Sequence, residues 1–358
     1  MLPVVWNQTV TRYFALSVRT AANVATRRLL VALSLRRAST RPPLPLPTPV
    51  DPPRRTLRVP LPAAEGGGQA ALTYTLERPS GVPSGLVVLA LHGVPGSTYD
   101  WRYVSRPLAA RLPGASLLRI EVPGFGSSSA SLSPNSSPKG ADLARALSQR
   151  ALPAICAAEA LAPPGAADAR WLLLGHSVGC ELSMLLAAEL LGRRTGGRRA
   201  VAGLALVNPV GLRPHKLMRP SAAVRGATAL LDLPQPLGAL WLYVLRKVWI
   251  NVFGFPARVR NEDLVWGQRR AAALDWGRQR IVAAGLRASG VPIGVLYSED
   301  DTLVEVRVSR ELCDELRPSP LIVLPSAGHW SIKLAPVEIA SLVGDVAAAS
   351  SRDVAAGP

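Results

Sequence analysis

The stretch Trp171-Leu172-Leu173-Leu174-Gly175-His176-Ser177-Val178-Gly179-Cys180-Glu181-Leu182-Ser183-Met184-Leu185-Leu186-Ala187-Ala188 decides how the chain is read. It begins as a short apolar strand and ends in a run of good helix formers. Between them, Gly175 and Gly179 stand two residues before and two after Ser177. That spacing suits a strand-to-helix hairpin, in which the serine takes a strained backbone conformation and projects its hydroxyl from the end of a sheet. The small flanking residues let strand and helix pass without collision. The positive end of the following helix then faces the serine oxygen.

A serine hydroxyl is a poor nucleophile until a base takes its proton, and the base needs an acid to orient it. Only four histidines are present: His92, His176, His215 and His329. His329 follows the strand-like Leu321-Ile322-Val323-Leu324 in the loop Pro325-Ser326-Ala327-Gly328-His329-Trp330, where a base could swing over the sheet edge. His92 belongs to the turn Leu91-His92-Gly93-Val94-Pro95-Gly96. His176 is expected to turn its ring away from the nucleophile, and His215 reads as a surface or helix-cap residue. The acid is sought after the strand Ile293-Gly294-Val295-Leu296-Tyr297, in Ser298-Glu299-Asp300-Asp301. Asp301 is the preferred choice, Asp300 the alternative, and Glu299 reads as a solvated turn residue. Acyl transfer also builds negative charge on the carbonyl oxygen, which backbone amides can stabilise. The amides of Val178 and Val94 are the expected donors, since Pro95 has no N–H to offer.

The motifs His92-Gly93-Val94-Pro95-Gly96-Ser97, Glu121-Val122-Pro123-Gly124-Phe125-Gly126-Ser127-Ser128, Gly175-His176-Ser177-Val178-Gly179, Asp301 and Gly328-His329 together resemble the α/β-hydrolase superfamily, over roughly residues 57–349. The chain order Ser, Asp, His is the one associated with that fold. The resemblance implies Ser177 as nucleophile, Asp301 as acid and His329 as base. Epoxide hydrolases and haloalkane dehalogenases of the superfamily share the His-Gly-x-Pro loop but use an aspartate nucleophile. Serine at 177 instead suits attack on an acyl carbonyl.

Alternating patterns support a doubly wound, mostly parallel eight-stranded sheet with a helical cap. Residues 57–61, 71–76, 86–91, 116–122, 171–174, 201–207, 293–297 and 321–324 read as strands, the first two as an antiparallel edge. Helical patterns cover 101–112, 142–160, 181–193, 306–316 and 337–349. Residues 54–210 and 281–350 are therefore expected to form the core, and 351–358 a disordered tail. Residues 211–280 break the alternation and read as a cap, its last helix merging into the core. They hold Trp241, Trp249, Trp266 and Trp276, half of the eight tryptophans. The apolar run from Leu237 to Phe255 is interrupted by Arg246, Lys247 and Asn251, which makes it a poor membrane span. Packed on the core or lying on a membrane surface, it favours a hydrophobic acyl or alcohol group in the substrate.

Residues 1–50 contain no Asp or Glu but seven arginines, in a pattern resembling a mitochondrial transit peptide. The alternatives are an uncleaved basic tail on a cytoplasmic or a membrane-associated protein. Residues 41–53 form a Pro-rich linker. Of the formal net charge of +17, residues 1–60 supply ten arginines against Asp51 alone. No nucleic-acid motif accompanies that charge, so nucleic acid is not an expected partner, whereas anionic lipid is a plausible one for the tail or the cap. Cys156, Cys180 and Cys313 fit no metal pattern and point to a reducing compartment. No cofactor and no metal is implied. Two readings follow: a serine hydrolase of hydrophobic esters or thioesters, or an idle ligand-binding protein of the same fold. Hydrolysis of an activated carbon–carbon bond would use the same residues.

Overall fold

A computed structural model describes residues 46–60, 69–131, 139–166, 169–192 and 200–355. The expected transit segment and most of the linker lie outside them. Eight strands form one sheet in the order β1-β2-β4-β3-β5-β6-β7-β8. They are β1 (Arg55–Pro60), β2 (Gln69–Glu77), β3 (Leu86–Leu91), β4 (Ser116–Ile120), β5 (Arg170–His176), β6 (Val201–Val207), β7 (Ile293–Ser298) and β8 (Leu321–Leu324). β1 and β2 pair antiparallel, and β2 joins β4 antiparallel. All pairings among β3 to β8 are parallel, so the expected edge and parallel body are both present.

The parallel strands read as continuous apolar runs because helices cover both faces of the sheet. Their side chains alternate between two cores. Val87, Leu89 and Leu91 of β3 face one cluster, and Leu86, Val88 and Ala90 face the other. On the second face lie α1 (Ser105–Arg111) and, from the far end of the chain, α11 (Pro336–Ala355), through Val104, Leu108, Leu342 and Val346. On the first face lie α2 (Gly140–Ala146), α3 (Leu152–Glu159) and α4 (Val178–Leu191). A single π-helical stretch, Leu147–Ala151, joins α2 to α3 where one helix was expected.

Between β6 and β7 the chain is entirely helical: α5 (Ser221–Ala229), α6 (Leu237–Asn251), α7 (Asn261–Ala272) and α8 (Trp276–Ser289). The last of these lies against the sheet's helices: Ala283 and Leu286 are buried, and α8 packs on α4 and α9 (Val306–Leu316). The short α10 (Ser331–Leu334) follows the loop carrying His329. Two boundaries differ from expectation. The helix after Ser177 starts at Val178 rather than Glu181, because the turn is tight enough for the helix to follow the serine directly. The final helix runs to Ala355, so residues 351–355 extend it instead of forming a tail. Leu342, Val343, Val346 and Ala347 on its inner face bury it against the sheet, and Arg170 of β5 hydrogen-bonds Ala347 O and Ser351 Oγ, holding the helix at 351.

Candidate active site

The C-terminal ends of β3, β5, β6 and β7, with the loop after β8, converge on one spot. Ser177 follows β5 at φ 54°, ψ −121°, a conformation uncommon for a residue with a Cβ. Glycine is required at 179 for a concrete reason. A Cβ there would lie 2.6 Å from the His92 carbonyl oxygen and closer still to that of Leu91. The start of α4 therefore rests against the end of β3. The turn after β3 is held by His92. Its Nε2 accepts the Val122 amide at 3.0 Å, so its Nδ1 carries the proton and donates to Gly93 O at 2.6 Å. Burial pushes His92 down to about 4, so it stays neutral at ordinary pH.

His329 lies between a hydroxyl and a carboxylate. Its Nε2 is 2.9 Å from Ser177 Oγ, and its Nδ1 is 2.7 Å from Asp301 Oδ2. Burial favours the neutral acid at Asp301, but the positive charge His329 carries once it has taken a proton, its hydrogen bond and the amides of Val304 and Leu303 outweigh it and lower its pKa. The carboxylate is thus an ionised acceptor, His329 Nδ1 holds the proton, and Nε2 is left to accept one from Ser177. Ser177, Asp301 and His329 are only 7%, 9% and 6% exposed.

The choice between the two aspartates is resolved by what each one holds. Asp300 accepts the amides of Ala327 (3.1 Å) and Gly328 (2.7 Å) and the hydroxyl of Ser326 (3.0 Å). It therefore anchors the main chain that carries His329 and does not touch the imidazole. The histidine readings need two corrections. His176 does not turn away: its Nε2 donates to His329 O at 2.9 Å, and its ring centroid is 5.2 Å from that of His329. Burial, aided by His329, pushes it down to about 3. The hydrogen bond to His329 O holds the ring against the base loop, and the lack of a side chain at Gly93 leaves room for it, since a Cβ there would stand 3.0 Å from the His176 Nδ1. Of the two alternatives for His215, the cap position holds and the surface one does not. It is the N-cap residue of the short helical turn Lys216–Met218, without a side-chain capping bond, and is buried, pushed down to about 4 chiefly by that burial.

One polar residue escaped the sequence reading. Asn208, directly after β6 at φ 45°, donates from Nδ2 to Asp301 Oδ2 (3.1 Å) and Gly328 O (3.2 Å). It ties acid to base loop; its position at a strand end, in Asn208-Pro209, was the available signal. Val178 directly follows the serine, and Val94 belongs to the turn after β3. Val178 is the first residue of α4, where an amide has no acceptor within its own helix. A Cβ on Gly93, next to Val94, would stand 3.0 Å from Ser177 Cβ. The Val94 and Val178 side chains share one apolar cluster with Val210, Met218 and Leu274. A second cluster sets Trp249 and Phe255 of the helical segment near Trp330, with Phe255 and Trp330 meeting edge-on at 5.4 Å. α7 is fastened to the core beneath by a buried ion pair between Arg270 and Glu181, in the first turn of α4.

Comparison with known proteins agrees with this arrangement. Residues 87–342 match the model of the alpha/beta hydrolase family. A 2-hydroxymuconate semialdehyde hydrolase from Pseudomonas sp. (strain CF600) is 28% identical over 205 residues, which span 50% of this chain and 70% of that protein. Among solved structures, a thermophilic esterase from Thermogutta terrifontis superposes with a TM-score of 0.57 at 15% identity, covering 83% of this chain and 99% of its own. A haloalkane dehalogenase from Bradyrhizobium elkani USDA94 gives 0.55 at 22% identity, covering 86% and 100%. These two share the fold. With the family match spanning most of the chain, and the sheet and strand-to-helix turn in place, this protein is a member of the alpha/beta hydrolase family.

Proposed function

We propose that the chain is a serine hydrolase that cleaves carboxylic esters or thioesters of hydrophobic substrates through an acyl-enzyme on Ser177. The observation that carries this reading is the continuous hydrogen-bonded line Ser177 Oγ, His329 Nε2, His329 Nδ1, Asp301 Oδ2. Ser177 Oγ attacks the acyl carbonyl while His329 takes its proton. The oxyanion gathers the amides of Val94 and Val178. His329 then protonates the departing alcohol or thiol, and a water activated by the same imidazole releases the acid. The apolar residues over the serine favour an uncharged, hydrophobic substrate, because the buried Arg269 and Arg270 of α7 are already paired with Asp232 and Glu181.

Activity on p-nitrophenyl esters of increasing acyl length tests the reading. Trp249→Ala is expected to lower kcat/KM about tenfold or more for long acyl chains, from lost apolar burial, and much less for acetate. Equal losses on both would remove the apolar roof from the account. A second reading is hydrolysis of an activated carbon–carbon bond by the same residues, and the Pseudomonas relative, a 2-hydroxymuconate semialdehyde hydrolase, suggests a compound with which to test it. Loss of 2-hydroxymuconate semialdehyde absorbance without turnover of any ester would select it. For residues 1–50 we retain a mitochondrial transit segment, testable by N-terminal sequencing of the mature protein.

A further inference from the structure

Helix α6 is apolar on two sides. Its inner side places Leu245 and Trp249 against Phe255 and Leu264. Its outer side turns Leu237, Leu240 and Tyr243 to solvent, exposed by 55%, 61% and 59%, and Leu230 and Leu233 just before the helix add 38% each. At 100° per residue, Leu237, Leu240, Tyr243 and Lys247 fall along one stripe. Isolated exposed leucines need no explanation, but a contiguous group of this kind marks a surface that meets something.

The charge around the stripe says what it meets. Between Gly211 and Arg260 stand eight basic residues (Arg213, Lys216, Arg219, Arg225, Arg246, Lys247, Arg258 and Arg260) and a single acid, Asp232, itself engaged by Arg269. Arg213, Arg219 and Arg260 are paired with Glu311, Glu305 and Glu262, which leaves the cations of the helix itself, Arg246 and Lys247, to set the local charge. Lys247 lies within the stripe, 5.3 Å from the Tyr243 ring. Arg246 hydrogen-bonds the carbonyls of Val259 and Ala257 and the side chain of Asn261, neutral partners that leave its charge intact. Leucine and tyrosine on one face, with Arg246 and Lys247 in the same helix and no acid within it, is the composition of a helix that lies in a bilayer interface. Among the described residues no helix is long and apolar enough to cross a membrane. A second copy of the chain fits poorly, because symmetric pairing would bring two cationic helices together. Five exposed side chains also fall well short of the roughly 20–30 residues a side that a stable interface uses.

We propose that the outer face of α6, with Leu230 and Leu233, docks the protein onto an anionic phospholipid surface. Leu230, Leu233, Leu237, Leu240 and Tyr243 enter the headgroup boundary, and Lys247 and Arg246 meet lipid phosphates and carboxylates. The opposite face of the same helix carries Trp249, which packs toward Trp330 beside His329, so the lipid-facing helix also roofs the buried serine. Docking itself does not depend on the reaction proposed above.

Co-sedimentation of the full chain with phosphatidylcholine vesicles, with and without phosphatidylserine, tests the proposal. The wild type is expected to partition onto the anionic vesicles. The variant Leu237→Ser/Leu240→Ser/Tyr243→Ser is expected to lose about tenfold or more of that partitioning, since apolar burial drives interfacial binding. Lys247→Glu is expected to weaken binding to anionic vesicles only, and it serves as the second variant should the triple change disturb folding. The basic N-terminal residues are identical in every protein compared, so the differences report α6. Unchanged partitioning of both variants would overturn the proposal, as would a wild type that ignores anionic vesicles. So would a wild-type dimer that the triple variant converts to monomer, which would assign the patch to a second copy.

Discussion

Replacing Gly179 by alanine probes the contact that sets the distance between the serine and the turn after β3. The added Cβ would sit 2.6 Å from the His92 carbonyl oxygen, about 0.8 Å inside an ordinary 3.4 Å contact, and tighter still against Leu91. Both neighbours are backbone atoms of a buried strand end, so neither can rotate aside. α4 must withdraw from β3, carrying Ser177 and the Val178 amide away from Val94. Overpacking of this size costs about 1–3 kcal/mol of stability, and a misplacement near 1 Å costs about a hundredfold in rate. Gly285→Ala, in α8, is the internal control, because nothing lies within 4 Å of its added Cβ. It is expected to gain about 0.5–1 kcal/mol and leave the rate unchanged. Urea unfolding and kcat/KM on an activated ester measure both effects. A Gly179→Ala protein with wild-type rate and stability would refute the close approach of helix and strand.

The remaining predictions concern the supports of the site. Asn208→Gly keeps the positive φ available while removing the donor to Asp301, and is expected to lower kcat about tenfold with KM little changed. Tenfold is about 1.4 kcal/mol, the lower end of what a hydrogen bond to a charged group contributes; steady-state kinetics that show no loss would reduce Asn208 to a packing residue. His92 titrates near 4 when folded, against an ordinary value of 6.5. Below 6.5 the unfolded chain binds a proton that the folded chain refuses. The contribution is therefore complete above pH 6.5 and is lost as pH falls toward 4, by about 3 kcal/mol. Relative to His92→Gln, the wild type is expected to lose that much stability between pH 7 and pH 4, and parallel stability profiles would contradict the buried neutral imidazole.

The features that could be read from sequence are those that local spacing dictates. Strand β5, the two glycines and the following helix share one contiguous stretch, so the turn at Ser177 was legible without any tertiary knowledge. The apolar runs of β3, β6 and β7 were legible because both faces of a parallel strand are buried. The features that could not be read depend on where a loop turns in space. Asp300 and Asp301 are neighbours of like chemistry. Only the path from Ser298 to Val304 sends one to the imidazole and the other to the amides of Ala327 and Gly328. Asn208 lies 93 residues from Asp301, and its place at a strand end before Pro209 marks a turn but does not name the partner its side chain meets. His176 differs from expectation because its partner, the carbonyl of His329, lies 153 residues away. The continuation of the last helix to Ala355 likewise followed from packing against the sheet, which no cap residue announces.

The central claim is that Ser177 is an activated nucleophile, and fluorophosphonate labelling tests it most directly. Treatment of wild type, Ser177→Ala and His329→Ala, followed by peptide mapping, should place a single stoichiometric adduct on Ser177 in the wild type. No adduct should form in the first variant, and labelling should be at least about a hundredfold slower in the second, from loss of the general base. A folded wild type that resists the probe, or that labels equally fast without His329, would contradict the account and turn attention to a ligand-binding role for this fold.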